Sequence, residues 1–352
     1  MRGVALSGHA LVQRVVRPPA GCVAASAAAG TSPASRRPPS RRPGSGLDFA
    51  EVPEGARRPD VLVLDGTYLA CCLAPYSTKA THAASLAATV AKLVGSVQPR
   101  VTVAAFDSGS RKALVPGSVD ARRAARDTAT SYVATRGEPS RFRDALAGVG
   151  VHTLVAPQGT QGDDVLTSLA HTVRLCDSLR CLVVSGDTDA VASLRRGPPG
   201  ATVDWLRVAP FPCAAWPQVL THVTWHDFLH RWKFPPQRWS LYGALVGRPR
   251  DGVHKLKGVG PSAAAALLRA FGPDPGDSDA AVLGKMLAAA QAGKLKGYRP
   301  EVGAALGDAA AAAVLAANLA RLAPKLHAAD GGLPAELEAL VAEHMGRGAS
   351  TG

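Results

Sequence analysis

Four short runs of mostly Val and Leu alternate with longer segments whose apolar residues recur at helical spacing, and this alternation most constrains the fold. The runs are VLVLDG at 61–66, VTVAAFD at 101–107, VHTLVAP at 151–157 and CLVVSGD at 181–187. Residues 81–97 predict an amphipathic helix after the first run, and a helix through Asp164, Leu166 and Leu169 is expected after the third. This order predicts an α/β fold with a parallel sheet covered by helices on both faces.

The chain changes character after this alternating region. Residues 198–217 carry five prolines, which predict short, irregular pieces. The pattern at about 226–326 is helical again. Trp225, Trp232 and Trp239 recur every seven residues within the region that follows the prolines, and this spacing suggests one helical stripe that packs in the core, with a base-stacking platform as the alternative. Pro235 and Pro236 break this stripe.

Composition excludes several other classes of protein. Hydrophobic residues make up 47% of the chain, enough for a packed core. No apolar stretch of about 18 residues runs without a charge, so a membrane-spanning helix is not expected. The six cysteines include the adjacent pair Cys71 and Cys72 but no Cys-x-x-Cys pair. A disulfide scaffold and a structural zinc site are therefore poor interpretations.

Residues 1–47 carry seven of the thirteen net positive charges, because they contain seven arginines and no acidic residue. A basic, Ser-rich and acid-free N-terminal segment is typical of an organellar transit peptide that is removed after import. The alternative is a disordered basic arm that stays attached and contacts nucleic acid. Composition does not distinguish the organelles; we expect the chloroplast, with the mitochondrion as the alternative.

Acidic residues follow the predicted strands at the points where the strands end. They are Asp65, Asp107, Asp187 and Asp189, together with Asp163 and Asp164 at the start of the helix after the third run. Because the carboxyl ends of parallel strands meet at one edge of a sheet, we expect these carboxylates to converge. Their repulsion requires cations, and hard oxygen donors suit Mg²⁺ or Mn²⁺. Two such ions about 4 Å apart can promote phosphodiester hydrolysis, although any single Asp is equally well a cap or turn residue.

A second motif, GVGPSAAAALLRAFG, lies at 258–272. Gly258 and Gly260 allow a tight hairpin whose backbone amides can meet a phosphate, with a helix N-terminus directly behind. Lys255 and Lys257 add positive charge beside it. The motif fits a sequence-independent grip on a nucleic-acid backbone, and a helix pair with a Gly turn and solvated lysines is the alternative.

Together these motifs resemble those of the 5′-nuclease superfamily, which includes the flap endonucleases and the 5′–3′ exonuclease domain of bacterial DNA polymerase I. The resemblance covers about residues 60–325, and its motifs follow the family order. VLVLDGTYL is similar to the first Asp-Gly strand, VAAFDSG to the Phe-Asp strand and QGDDVLTSLA to the Glu-Ala-Asp-Asp helix start. VVSGDTDAVASL is similar to the Gly-Asp-x-Asp motif, and GRPRDGVHKLKGVGPSAAAALL to the Gly-Asp-x-x-Asp-Asn stretch that leads into a helix-three-turn-helix.

The resemblance implies a PIN-like α/β domain at 48–240 and a helix-three-turn-helix DNA-binding module at 241–328, followed by a flexible tail at 329–352. Two divalent ions, Mg²⁺ with Mn²⁺ as the alternative, would lie between the two units. A potassium ion is expected at the carbonyls of the hairpin in the helical module.

The resemblance also implies roles for individual residues. Asp65, Asp107 and Asp163 would bind the first metal beside Gln161. The second metal would be bound by Asp187, Asp189 and Asp251, with Asp164 as an outer or bridging acid. The residues implied to bind nucleic acid are Arg111, Lys112, Arg122, Arg123, Arg126, Lys255, Lys257, Gly258, Gly260 and Ser262.

The sequence departs from the family pattern at three places. Gln161 stands where the family has a glutamate, which removes one negative charge from the first metal site. Arg248 stands at the first Asp of the Gly-Asp-x-x-Asp stretch, where it could pair with Asp251 or oppose the second metal. The family's Tyr-Lys falls near Ser118 and Val119, so its lysine is missing there. The basic helix face formed by the three arginines at 122–126 could substitute for it, or be a solvated surface.

The function implied is that of a metal-dependent 5′–3′ exonuclease or flap endonuclease acting on DNA in organellar replication or repair. Its expected substrates are 5′ flaps, nicked or gapped duplexes and RNA primers on DNA. We expect a monomer that works beside a separate polymerase and without a membrane. Gln161, Arg248 and Val119 favour the alternative of a DNA-binding homologue that has lost hydrolysis, and a PIN-type ribonuclease acting on organellar RNA is the third hypothesis.

Overall fold

A computed structural model of the chain describes residues 52–73, 81–107, 139–156, 161–174, 179–197, 201–208, 220–322 and 338–339. Five residues predicted to bind nucleic acid lie outside this part: Arg111, Lys112, Arg122, Arg123 and Arg126. The leader at 1–47 and, apart from 338–339, the predicted tail also lie outside it. Secondary-structure elements are numbered below along the described residues.

A six-stranded sheet forms the centre of the molecule, with the spatial order β3-β2-β1-β4-β5-β6. The strands are β1 (Val61–Asp65), β2 (Val101–Phe106), β3 (His152–Val155), β4 (Cys181–Ser185), β5 (Val203–Val208) and β6 (Leu220–Val223). The first five strands are parallel, and β6 pairs antiparallel with β5 at the edge. The chain therefore reverses its strand order at β1, which lies between β2 and β4. Such a switch point is where α/β sheets form their ligand sites.

Ten helices are described around and beyond the sheet. They are α1 (Gly66–Leu73), α2 (His82–Val97), α3 (Pro139–Ala147), α4 (Gly162–Arg174), α5 (Trp225–Trp232), α6 (Trp239–Val246), α7 (Pro261–Phe271), α8 (Asp279–Gln291), α9 (Pro300–Gly307) and α10 (Ala309–Leu322). Within the described ranges no single helix is long and apolar enough to cross a membrane, and α9 and α10 pass that test only as a pair bent by 80°.

The central strands are apolar on both sides because helices cover both faces of the sheet. β1 shows the division: Val61 and Val63 pack with α4 and the helical region, whereas Leu62 and Leu64 pack with α1, α2 and α3. Successive side chains of a strand point to opposite faces, so an unbroken Val/Leu run fills two cores at once. The fold class predicted from the alternating pattern is confirmed.

The helical region from α5 onward continues one of these cores without a gap. Trp232 of α5 and Trp239 of α6 lie with their ring centroids 5.3 Å apart, and Phe228, Phe234 and Tyr242 surround them. The predicted core role is confirmed for Trp232 and Trp239. The helical stripe is broken at the two prolines, as the sequence indicated, because α5 ends at Trp232 and α6 begins at Trp239.

The prediction of irregular structure at 198–217 is wrong for part of that segment, because β5 lies within it. All six residues of β5 are buried, including Asp204 and Arg207. Asp204 Oδ2 lies 3.6 Å from Arg180 Nη2 and 3.2 Å from His222 Nε2, so the charge of this buried side chain is paired. A charged residue at position 204 obscures the strand in the sequence, and its charge is compensated in the structure by Arg180 and His222.

Candidate functional site

Five aspartates converge at the carboxyl ends of β1, β2 and β4. Asp65 ends β1, Asp107 directly follows β2, and Asp187 and Asp189 follow β4. Asp163 lies in the first turn of α4, which packs against the same strands. We call these five residues the acidic cluster. Their convergence at the sheet edge is the arrangement that the spacing of acids along the sequence predicted.

Asp65 is the most buried member of the acidic cluster, with 6% of its surface exposed. Its Oδ1 accepts a hydrogen bond of 2.8 Å from the Tyr68 amide, and its Oδ2 accepts one of 2.7 Å from the Ser185 hydroxyl. Burial raises the pKa of Asp65 to about 7, and the negative charges of Asp187 and Asp107 add to this rise. The two hydrogen bonds oppose the rise without cancelling it.

Asp107 ties the second strand to the start of α4. Its backbone amide donates to Thr67 Oγ1 at 2.9 Å, and its Oδ1 accepts from the Gly162 amide at 2.6 Å. A Cβ on Gly162 would lie 3.2 Å from the Asp107 amide nitrogen and Oδ1, so a glycine lets the helix come this close. The Gly162 amide at the N-terminus of α4 thereby points at a carboxylate of the acidic cluster, an arrangement that the helix dipole favours.

Asp163, Asp187 and Asp189 form the tightest part of the acidic cluster. One carboxylate oxygen from each lies within 4.8 Å of the other two. Burial raises the pKa of Asp163 well above its ordinary value, and the charges of Asp65, Asp187, Asp189 and Asp107 raise it further. Carboxylates this close and this buried repel one another unless a cation or a proton is shared among them. The donor set is all oxygen, which fits Mg²⁺ or Mn²⁺.

Arg248 is the cation that contacts the acidic cluster from the helical region. Its Nη1 and Nη2 bond to Oδ1 and Oδ2 of Asp189, the second at 3.1 Å, and its Nε lies 2.9 Å from Oδ2 of Asp251. Burial, together with the charge of Asp187, raises the pKa of Asp189 to about 6 even though Arg248 opposes the change. Of the two positions considered for Arg248, the structure shows the pairing with Asp251 and adds the pairing with Asp189.

Gln161 and Asp164 lie at the entry to α4. The Gln161 amide donates to Asp164 Oδ2 at 3.1 Å, and the Asp164 amide donates back to the Gln161 carbonyl at 3.1 Å. This reciprocal pair satisfies backbone groups that the helix start leaves free. One Asp164 oxygen therefore caps the helix, while its neighbour Asp163 contributes to the acidic cluster.

Ser185 is a residue of the site that the sequence interpretation missed. It donates to Asp65, accepts a 3.0 Å bond from the Asp187 amide and is almost fully buried. Gly186 follows it, and a Cβ there would overlap the ring of Tyr68 and the Val208 carbonyl oxygen. A small hydroxyl residue followed by Gly-Asp at the end of a buried strand is the signal that could have identified this pair.

The loop at 255–260, directly before α7, forms a second exposed surface, separate in sequence from the acidic cluster. The buried side chains of Leu256 and Val259 anchor it, and the Val259 amide donates to the Leu256 carbonyl at 3.2 Å. Gly258 has a φ of 92° and lies where a Cβ would be 2.9 Å from the Glu301 carbonyl oxygen, so this position requires glycine. The predicted contact residues Lys255, Lys257, Gly258 and Ser262 are exposed, and Gly260 directly precedes α7.

No protein-family model and no curated protein sequence matches the chain. Among solved structures, the 5′-exonuclease of bacteriophage T5 with bound zinc ions is similar to it with a TM-score of 0.55 and 16% identity, over 81% of this chain and 98% of that one. The flap endonuclease of the same phage, in a pseudo-enzyme–product complex with DNA and metal ions, gives a TM-score of 0.52 at 16% identity, over 81% and 91% of the two chains.

These similarities establish the fold. The chain shares its fold with the 5′-exonuclease and the flap endonuclease of bacteriophage T5, which is the fold that the family resemblance implied. The acidic cluster also contains the residues to which the resemblance of the sequence motifs assigned metal binding.

Proposed function

We propose that this protein is a divalent-metal-dependent nuclease that hydrolyses phosphodiester bonds of DNA, acting as a 5′–3′ exonuclease or flap endonuclease. The acidic cluster is the observation that carries this proposal. Burial and mutual repulsion raise the pKa of Asp65, Asp163 and Asp189 even with Arg248 in contact. A site that is short of positive charge in this way is suited to receive cations.

Asp163 and Asp187 would hold a divalent ion, with Asp65 and Asp107 beside them and Asp189 completing the group of close oxygens. A divalent ion in such a site supplies activation of water and stabilisation of the leaving oxygen. Ser185, the Tyr68 amide and the Gly162 amide fix the orientation of Asp65 and Asp107, so these carboxylates are positioned before an ion arrives.

The exposed loop at 255–260 would hold the nucleic-acid backbone. Lys255 and Lys257 extend from it, and the loop leads directly into the N-terminus of α7. Backbone amides at a helix start and nearby lysines bind phosphates without reading base sequence. The bond that is cut would then be chosen by the shape of the DNA, as expected for an enzyme that acts on flaps and nicks.

The test of hydrolysis is a cleavage assay with the full-length protein on labelled 5′-flap, nicked and gapped duplexes. We expect products with Mg²⁺ or Mn²⁺, no products with EDTA, and loss of at least about a hundredfold in rate for Asp187→Asn, since this change removes a charged ligand. Asp144→Asn, which changes an exposed carboxylate on α3, serves as the matched control. If none of the substrates is cleaved with Mg²⁺ or with Mn²⁺, the proposal is wrong.

The contact between Arg248 and Asp189 favours a second candidate, a protein that binds branched DNA without cutting it. The same assay distinguishes the two candidates when binding is measured beside cleavage. Binding without products supports the second candidate, whereas cleavage that Asp187→Asn abolishes excludes it. RNA strands of the same geometry, run in parallel, test the third hypothesis of a PIN-type ribonuclease.

The proposed contact between the loop at 255–260 and the DNA backbone can be tested separately. Replacing Lys255 and Lys257 by Ala should weaken binding about equally for all DNA sequences and reduce the salt slope of binding by about two, near 0.9 per phosphate contact. Lys285→Ala is the control, because Lys285 of α8 already pairs with Asp277 at 2.8 Å and lies outside the loop. An unchanged salt slope in the double variant would exclude this loop as the DNA contact.

We propose the chloroplast as the site of action, with the mitochondrion as the alternative and a separate polymerase as a functional partner. The support is the composition of residues 1–47, which contain seven arginines and no acid. Import of the labelled full-length chain into isolated chloroplasts and mitochondria tests this proposal. Cleavage of the leader in one organelle identifies the destination, and import by neither would contradict it.

A further inference from the structure

The position of Arg248 bears on how many metal ions this site can hold. Its guanidinium bonds to both carboxylate oxygens of Asp189 and, through Nε, to Asp251. These three contacts use the planar fork of the arginine on two carboxylates that come from different parts of the chain. Only a quarter of the Arg248 side chain is exposed, and Asp189 and Asp251 are similarly screened from water.

The backbone holds Arg248 in this place. Its amide donates to the Val253 carbonyl at 3.0 Å, and the Val253 amide donates back at 3.1 Å, which closes the short turn that contains Asp251. Gly252 adopts a φ of 70° at the tip of this turn. Arg248 and Asp251 thus lie three residues apart on one turn, and the turn itself brings their side chains into contact.

The contacts also determine which oxygens remain for a metal. Asp189 and Asp251 are the carboxylates that the family resemblance assigns to the second ion together with Asp187. Both Asp189 oxygens and one Asp251 oxygen already carry guanidinium N–H groups. A divalent ion on the same oxygens would lie within a few ångströms of the Arg248 charge, and this repulsion is strong in a site with little water.

We propose that Arg248 is a built-in cation that replaces the second divalent ion, so that this site binds a single ion at Asp163 and Asp187. This inference rests on the proposed function, because it concerns the metal centre of the proposed nuclease. Asp189 then faces the ion on one side and Arg248 on the other. The substitution of Gln for Glu at 161 agrees with it, since both departures make the site less negative than the family pattern.

The test is to count bound Mn²⁺ by electron paramagnetic resonance during titration of the full-length protein. We expect a single ion per chain in the wild type and in Arg248→Lys, which keeps the charge. Arg248→Met and Arg248→Asp should each bind a second ion, and the first ion should bind about tenfold more tightly, the effect of losing one nearby positive charge. Arg231→Met, which removes an exposed arginine of α5, should bind as the wild type does.

The outcomes separate this inference from the proposed function. Two ions bound to the wild type would overturn the role of Arg248 and leave the metal-dependent nuclease in place. Circular dichroism identifies the variants that fold, and folded Arg248→Met or Arg248→Asp protein that still binds a single ion would also overturn it. A wild type that binds no Mn²⁺ would remove the metal centre and with it both proposals. The wild-type count tests the inference even where no variant folds.

Discussion

Replacing Asp65 by Asn should change the pH dependence of stability in the metal-free protein. Asp65 is buried, and the change removes its charge while keeping its size. Oδ1 of the Asn can still accept from the Tyr68 amide, and its Nδ2 can donate to Ser185, whose hydroxyl now lies at 2.7 Å from Oδ2. The main effect of the substitution is therefore electrostatic.

The size of the effect follows from the shifted pKa. Asp65 has a pKa of about 7 in the folded protein, against 3.8 for an ordinary Asp in the unfolded chain. Between these values the unfolded chain has released the proton and the folded protein still holds it, so wild-type stability falls as the pH rises. The slope is about 1.4 kcal/mol per pH unit well below pH 7 and flattens as Asp65 begins to ionise, which gives roughly 2 kcal/mol between pH 5 and pH 7. The Asn variant lacks this term, so its stability relative to the wild type should rise by that amount and then level off.

The assay is urea unfolding in EDTA at pH 5, 6, 7 and 8, followed by far-ultraviolet circular dichroism. The quantity compared is the difference in unfolding free energy between Asp65→Asn and the wild type at each pH, which cancels the titration of the groups that do not interact with Asp65. Asp144→Asn, at an exposed position on α3, should give a difference that stays constant. A constant or falling difference for Asp65→Asn would refute the claim that this carboxylate is strained by burial and by its neighbours.

Three further changes test the packing of the fold, one beside the site and two away from it. Gly186→Ala should destabilise the protein by about 3 kcal/mol in urea unfolding, because its Cβ would overlap Tyr68 and a backbone oxygen. Gly95→Ala, in α2 with nothing within 4 Å of the added Cβ, should instead stabilise it by about 0.5–1 kcal/mol. Arg238→Met should cost about 3 kcal/mol in the same measurement, because it leaves Asp279, 2.9 Å from Arg238 Nη1, without its partner. A loss below about 1 kcal/mol in the last variant would show that this pair contributes little.

The parts of the fold that the sequence predicted are those determined by local patterns. The Val-rich runs became β1, β2 and β4, because a strand buried on both faces must be largely apolar, and the third run became the half-buried edge strand β3. The reverse case is β5, whose Asp204 and Arg207 interrupt the apolar run. The burial of Asp204 depends on Arg180 and His222, which lie 24 and 18 residues away in the sequence, and no local pattern reports such partners.

In the candidate site, too, the features set by the order of the strands were predictable, and the contacts between distant residues were not. The acids at strand ends could be placed at one edge because parallel strands align their carboxyl ends. The double contact of Arg248 could not, because Asp189 is 59 residues away and the turn at 249–252 sets the direction of the side chain. Ser185 was missed for a different reason: a serine at the end of a buried strand has many structural uses, and its role is evident once its two hydrogen bonds are seen.

A comparison of Asp204 with the acidic cluster shows why the cluster is better explained as a metal centre than as a structural network. Asp204, near the amino end of β5, lies within reach of Arg180 and His222, so its charge is matched by neighbours on the protein itself. At the opposite edge, hydrogen bonds from Ser185 and backbone amides and the charge of Arg248 all act on the acidic cluster. The pKa of Asp65 nevertheless remains raised to about 7 and that of Asp189 to about 6. A purely structural network lowers its own repulsion through protein partners, as Asp204 does; this edge retains a deficit of positive charge that a divalent ion can fill. Because Arg248 already reduces that deficit, the remaining charge calls for fewer ions than a cluster without it would require.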